Sequence, residues 1–128
     1  MPRLLVTGGA GFIGSHIVRA LVSAGAMVRV LDDFSSGREE NLEELAPGAL
    51  GSGAEVELLR GDVADPETCA RACDGVDGVF HEAAVVSVPR SIEEPERTWE
   101  VNSTGTLNLL EAARKAGANR FVFAASSA

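Results

Sequence analysis

The chain contains no tyrosine and only two cysteines. Cys69 and Cys73 stand four residues apart in "DPETCARACDG", a spacing that puts both on one face of a helix. One pair on one helix is not a secreted disulfide framework. A metal centre needs more ligands than His81 would add. Two small, half-buried residues are the simpler reading. Long apolar runs are absent as well: nothing approaches the roughly 18 uninterrupted residues of a membrane span. Glycines break the N-terminus by residue 8, which leaves no apolar signal segment there. Positive charge is scarce. The formal net charge is -8, and no basic stripe with interleaved aromatics occurs, which argues against a general nucleic-acid or membrane-surface binder. These absences predict a soluble protein of a reducing compartment, the cytoplasm.

What is present suffices for one domain. The 128 residues are 45% hydrophobic and 23% charged, so a core can form. Strand and helix signals alternate. Residues 3–7 read as a buried strand, 8–11 as a turn, and 12–24 as a helix with Ile13, Ile17, Leu21 and Val22 inward, closed by Gly25. Residues 27–31 form a second strand that runs into Asp32-Asp33. A short helix is expected around 39–45, with a solvated loop at "PGALGSG". The third strand covers 55–59 and ends in Gly61-Asp62. Asp65 caps a helix that Pro66 opens. The fourth strand covers 78–81. One long helix over 91–115, entered near Pro95, ends at Gly117, and 120–124 is the fifth strand. Alternation of this kind predicts an α/β protein, a Rossmann-type doubly wound parallel sheet with strand order 3-2-1-4-5. No repeat and no second domain is visible. The sequence stops at "FAASSA", just behind the fifth strand, leaving an open sheet edge. The expectation is that residues 1–128 are the N-terminal part of a longer enzyme whose substrate domain is absent here.

The stretch "TGGAGFIGS" sits where the first strand passes into the first helix. A phosphate site needs backbone N–H groups aimed at the anion and no side chain in the way. Gly8, Gly11 and Gly14 meet that need at a helix N-terminus; a merely flexible turn is the alternative. Asp32 ends the second strand 18 residues beyond Gly14, near the spacing of about 20 for the acidic residue that bonds adenosine ribose hydroxyls. Such a carboxylate repels a 2′-phosphate and favours NAD over NADP, with Arg38 the one nearby cation able to reverse this. Asp62, after the third strand, could meet the adenine amino group or serve as a turn residue.

Taken together, "TGGAGFIGS", "LDDFSSG", "GDV", "HEAA", "SVPRS", "VNSTGTLNLLEAAR" and "RFVFAASSA" resemble the extended short-chain dehydrogenase/reductases of the NAD-dependent nucleotide-sugar epimerase/dehydratase family, over essentially the whole chain. The resemblance implies that Gly8, Gly11, Phe12, Ile13 and Gly14 line the NAD pyrophosphate. It implies that Asp32, Asp33, Ser36 and Gly37 hold the adenosine ribose, and that Asp62 and Val63 flank adenine. Ala83, Ala84 and Val85 would pass beneath the pyrophosphate and nicotinamide ribose. Asn102 would brace the central strands, and Ser87 would lie near the sugar. Ser126, with Ser127 beside it, would bond the reacting sugar hydroxyl, working with the tyrosine of a downstream YxxxK motif. Family members are commonly homodimers.

Three departures stand out. Glu82 replaces a usually uncharged residue, Asp33 stands where many relatives have asparagine, and no YxxxK follows. The family reaction implied is C4 epimerisation of a UDP-sugar, such as UDP-glucose in galactose metabolism, through a transient 4-keto sugar. A 4,6-dehydratase is the nearest rival reaction. It would carry an Asp-Glu pair where this chain has Ser127-Ala128. A noncatalytic NAD-binding module is the rival of another class. The 128 residues alone are expected to bind NAD weakly and to turn nothing over.

Overall fold

The structure, a computed structural model, describes residues 2–43 and 56–126. The apolar run behind the glycine turn forms β1 (Arg3–Thr7), with Leu5, Val6 and Thr7 fully buried. The helix α1 (Phe12–Ser23) leads to β2 (Met27–Asp32). A short α2 (Glu40–Glu43) precedes β3 (Val56–Arg60). Then follow α3 (Pro66–Cys73) and β4 (Gly78–His81). Next come α4 (Val88–Glu93), α5 (Pro95–Trp99), a π-helical segment Glu100–Thr104, α6 (Gly105–Ala116) and β5 (Arg120–Phe123). The five strands are parallel, in the predicted order β3-β2-β1-β4-β5.

Alternate side chains of a strand point to opposite faces, and two cores result. Leu5, Leu31 and Val79 pack with Cys69, Ala72, Leu109 and Ala113 under α3 and α6. Val6, Val28, Val30 and Val56 pack with Val18 and Leu42 under α1 and α2. A sheet covered on both faces explains why its central strands read as continuous apolar runs rather than alternating ones. Register then gathers the strand ends: Thr7 lies opposite both Leu31 and His81, and Asp32 opposite Arg60.

The structure corrects three expectations. Ile13 is not inward. It is 61% exposed, because the buried stripe of α1 runs through Gly14, Ser15 and Val18, and Ile13 lies about 100° round from Gly14 at the open end of the helix. Ile17, Leu21 and Val22 are half-buried against the core as expected. The single helix over 91–115 is instead several segments, beginning earlier, at Val88. Pro95 cannot donate an N–H and drives its predecessor out of the helical region, so Glu94 sits at φ -129, ψ 64. The cysteines are fully rather than half buried. Burial pushes the Cys69 thiol up to about 12 and the Cys73 thiol up to about 11, which leaves both unreactive. The "PGALGSG" loop and Leu45 lie outside the described residues.

Candidate functional site: the C-terminal edge of the sheet

The turn after β1 is built from backbone. Gly8 has φ +67, donates its N–H to the Leu31 carbonyl at 2.8 Å, and accepts from Gly11 N at 3.0 Å. A Cβ on Gly8 would stand 2.9 Å from Ala83 N, so the turn and the loop after β4 touch backbone to backbone. A Cβ on Gly14 would run into the Gly8 carbonyl. Gly14 is therefore what lets α1 start directly over the turn. Gly11, at the N-cap, offers no side-chain bond, and no acidic residue occupies the first helical turn. The positive end of α1 is thus left for an outside anion, flanked by the exposed side chains of Phe12 and Ile13.

Asp32 is buried beside this turn. Its Oδ2 accepts from Ala10 N at 2.9 Å and its Oδ1 from Phe34 N at 2.8 Å. Phe34 takes φ +60, an outlier for a bulky residue, with the Arg60 guanidinium 4.2 Å above its ring. Asp33 Oδ1 accepts from Ser35 N and Oγ. Ser36 is exposed, and Gly37 lies close against Asp32 and Ala10.

Asp62 closes the far side. Its Oδ1 accepts from Ala64 N at 2.9 Å, and its Oδ2 pairs with Arg97 at 2.8 Å. Arg97 also reaches Asp33 and Glu100, each at 3.6 Å. Burial opposes the charge of Arg97, but the bond and charge of Asp62, with Asp33 and Glu100, outweigh it and raise its pKa. Arg38 is therefore not the one cation near the acidic strand ends. Arg97 is beside them, and its 35-residue distance from Asp62 along the chain left no sequence signal. Val63 is buried, and the Val63 and Ala64 carbonyls accept from Asn108 Nδ2 at 3.0 and 3.2 Å.

Ala83, Ala84 and Val85 follow β4. Asn102, in the π-helical segment, pairs with Val85 through both groups of its amide: Oδ1 accepts from Val85 N at 2.8 Å and Nδ2 donates to Val85 O at 3.0 Å. It therefore braces this loop rather than the central strands. A π-helical turn within a helix is often found at functional sites. Glu82 is half-buried, and burial pushes its carboxyl above the ordinary range. Neither Thr7 nor Thr106 was singled out in the sequence, yet both contact the buried His81 ring, at 2.6 and 2.9 Å. Their signal was available only as position: a polar residue ending a buried strand, and a threonine four residues after Asn102. Ser87 caps α4, its Oγ accepting from Arg90 N at 3.3 Å. Ser126 lies just past β5 at the same edge of the sheet, and Ser127 is outside the described residues.

A parallel sheet in this order, with a glycine turn at a helix N-terminus and a buried carboxylate ending the second strand, defines a dinucleotide-binding domain of the Rossmann type. The chain belongs to the NAD dependent epimerase/dehydratase family, whose model matches residues 4–128. It is 38% identical over 131 residues to 3 beta-hydroxysteroid dehydrogenase/Delta 5-->4-isomerase of Mycobacterium tuberculosis, covering 99% of this chain and 32% of that protein. It is 38% identical over 129 residues to UDP-glucose 4-epimerase of Azospirillum brasilense, covering 99% and 34%. The solved UDP-glucose 4-epimerase of Thermus thermophilus in complex with NAD superposes with a TM-score of 0.83 at 44% identity, over 97% of this chain and 37% of that one. The chain thus spans about a third of the length of these relatives.

Proposed function

We propose that residues 1–128 are the NAD-binding part of a longer nucleotide-sugar 4-epimerase. The observation that carries the reading is Asp32. It is a buried carboxylate tied to the glycine turn through Ala10 N, at the edge where Gly8 leaves room for no side chain. That donor set fits a dinucleotide: uncapped helix amides for pyrophosphate and a carboxylate for ribose hydroxyls. Asp32 also disfavours a 2′-phosphate. Bound NAD would supply hydride acceptance and return at C4 of the sugar. The chain's own residues bind and orient. Gly8 to Gly14 take the pyrophosphate, with Phe12 and Ile13 beside it. Asp32, Asp33, Ser36 and Gly37 take the ribose. Asp62 and Val63 flank adenine, and Ala83, Ala84 and Val85 support the nicotinamide ribose while Asn102 fixes their loop. Ser126, with Ser127, would bond the reacting hydroxyl, and Ser87 would lie near the sugar.

The matched third is common to relatives named for a steroid and for UDP-glucose, which supports cofactor binding as the work of this part. C4 epimerisation of a UDP-sugar is favoured over 4,6-dehydration because Ser127-Ala128 cannot ionise usefully. The whole protein would be a cytoplasmic homodimer. Titration of NAD into the purified chain, followed by product analysis of the whole protein with UDP-glucose and its N-acetyl form, tests this. Interconversion with the galacto epimers without added NAD is expected. A stable 4-keto-6-deoxy product, or a whole protein without YxxxK, would overturn the epimerase reading.

A further inference from the structure

The hydrogen bonds around His81 admit one arrangement of protons. Thr7 Oγ1 accepts from Ala83 N at 3.1 Å and from Glu82 N at 3.1 Å, the latter N–H being shared with the Thr7 carbonyl, also at 3.1 Å. Both of its lone pairs are then used, and its single proton is left for His81 Nδ1, 2.6 Å away. His81 Nδ1 must therefore accept. At the other end, Thr106 Oγ1 donates to the Asn102 carbonyl at 2.8 Å. Its proton is spent, so it must accept from His81 Nε2 at 2.9 Å. The two ends reach the same answer independently. An imidazolium would aim a proton at Thr7 Oγ1, which has no lone pair left for it. The chain of bonds runs one way, from the 82–83 amides through Thr7, His81 and Thr106 to Asn102. The Asn102 amide then closes on Val85. Phe121 and Phe123 of the edge strand flank the ring, with centroids at 6.1 and 5.9 Å.

We propose that His81 is a positioning residue: a neutral, Nε2-protonated imidazole that locks both ends of the 82–85 loop to β1 and to the Asn102 turn. The inference deepens the NAD reading, because this is the loop on which the nicotinamide half would rest. It acts through the loop and touches no reacting atom.

Nitrogen NMR of the histidine ring at pH 7 reads the tautomer directly, and the expected signature is Nε2–H with a hydrogen-bonded Nδ1. Thr7→Val keeps the shape and removes the hydroxyl, whereas Thr7→Ser keeps the hydroxyl. Amide exchange at Ala83 is expected to be fast in the Val variant and slow in the Ser variant; the Glu82 amide keeps its bond to the Thr7 carbonyl in both. The NAD Kd should rise about tenfold in the first, the loss of one buried hydrogen bond, and stay within about threefold in the second. An Nδ1–H tautomer, an imidazolium, or equal amide exchange in the two variants overturns the proposal. Should Thr7→Val not fold, the tautomer of the unaltered protein still decides. If the unaltered protein binds no NAD, the cofactor reading fails by itself, while the tautomer and exchange results still judge His81.

Discussion

Gly14 and His81 show how single atoms set the cofactor edge. A methyl group at Gly14 collides with the Gly8 carbonyl, so α1 would have to lift from the turn. Gly14→Ala is expected to cost about 1–3 kcal/mol, the usual cost of overpacking, and to abolish NAD binding. Thermal denaturation and a binding titration check the two effects. His81 makes a pH prediction. Burial depresses its pKa from 6.5 to about 4. Below the unfolded value the unfolded chain binds the extra proton, so unfolding gains. Stability from this group is complete above about pH 6.5 and is lost as pH falls towards 4, by on the order of 3 kcal/mol. Urea unfolding across that window should show the loss in the native protein and a shallower slope in His81→Asn. Equal slopes would mean that other groups dominate. The glycines and Asp32 were readable in the sequence because backbone access and a fixed spacing are local. Arg97 was not, since its partners Asp33 and Asp62 meet it only through the fold.

At the scale of elements, helix ends are tied across the sheet. Arg29 lies on β2, a buried strand, yet its Nη1 donates to the carbonyls of Arg71, Ala72 and Asp74 at 3.3, 2.8 and 2.8 Å, and its Nε pairs with Glu57 at 3.1 Å. A cation thus bonds the carbonyls that end α3, of which that of Arg71 also accepts from Asp74 N at 3.3 Å, and offsets the negative end of its dipole. Arg29→Met keeps the apolar stem but takes the guanidinium from the Ala72 and Asp74 carbonyls. It is expected to destabilise by about 3 kcal/mol, read as a lower midpoint in urea at an unchanged slope. At its other end α3 follows the sequence closely: Asp65 accepts from Glu67 N at 3.2 Å, and Pro66 fills the first position. The cap was legible because its partners lie within one turn. The break at Glu94-Pro95 was legible as a proline and misread as the entry to one long helix. The π-helical turn after it has no local signature, because the Asn102 bonds to Val85 form across 17 residues.

For the whole molecule, β5 forms one edge of the described sheet, with Val122 48% and Phe123 55% exposed. An apolar edge strand invites pairing with another chain. The 128-residue chain is expected to associate with rising concentration, and Val122→Lys to suppress this; light scattering over a dilution series measures both. Alternating strand and helix signals determined the sheet order from sequence alone, because strands buried on both faces are largely apolar and their crossovers take one hand. The glycine spacing and the acidic end of the second strand likewise announced the tight turn and the carboxylate that meet at one edge of the sheet, since so close a backbone approach tolerates few residue types. Tertiary structure alone decided which side chains hold that edge in place. Arg97 clasps two strand ends, Asn102 and Asn108 each fix a loop, and His81 takes one tautomer between two threonines. Each of these bonds joins residues that only the pairing of strands or the packing of helices on the sheet brings within reach.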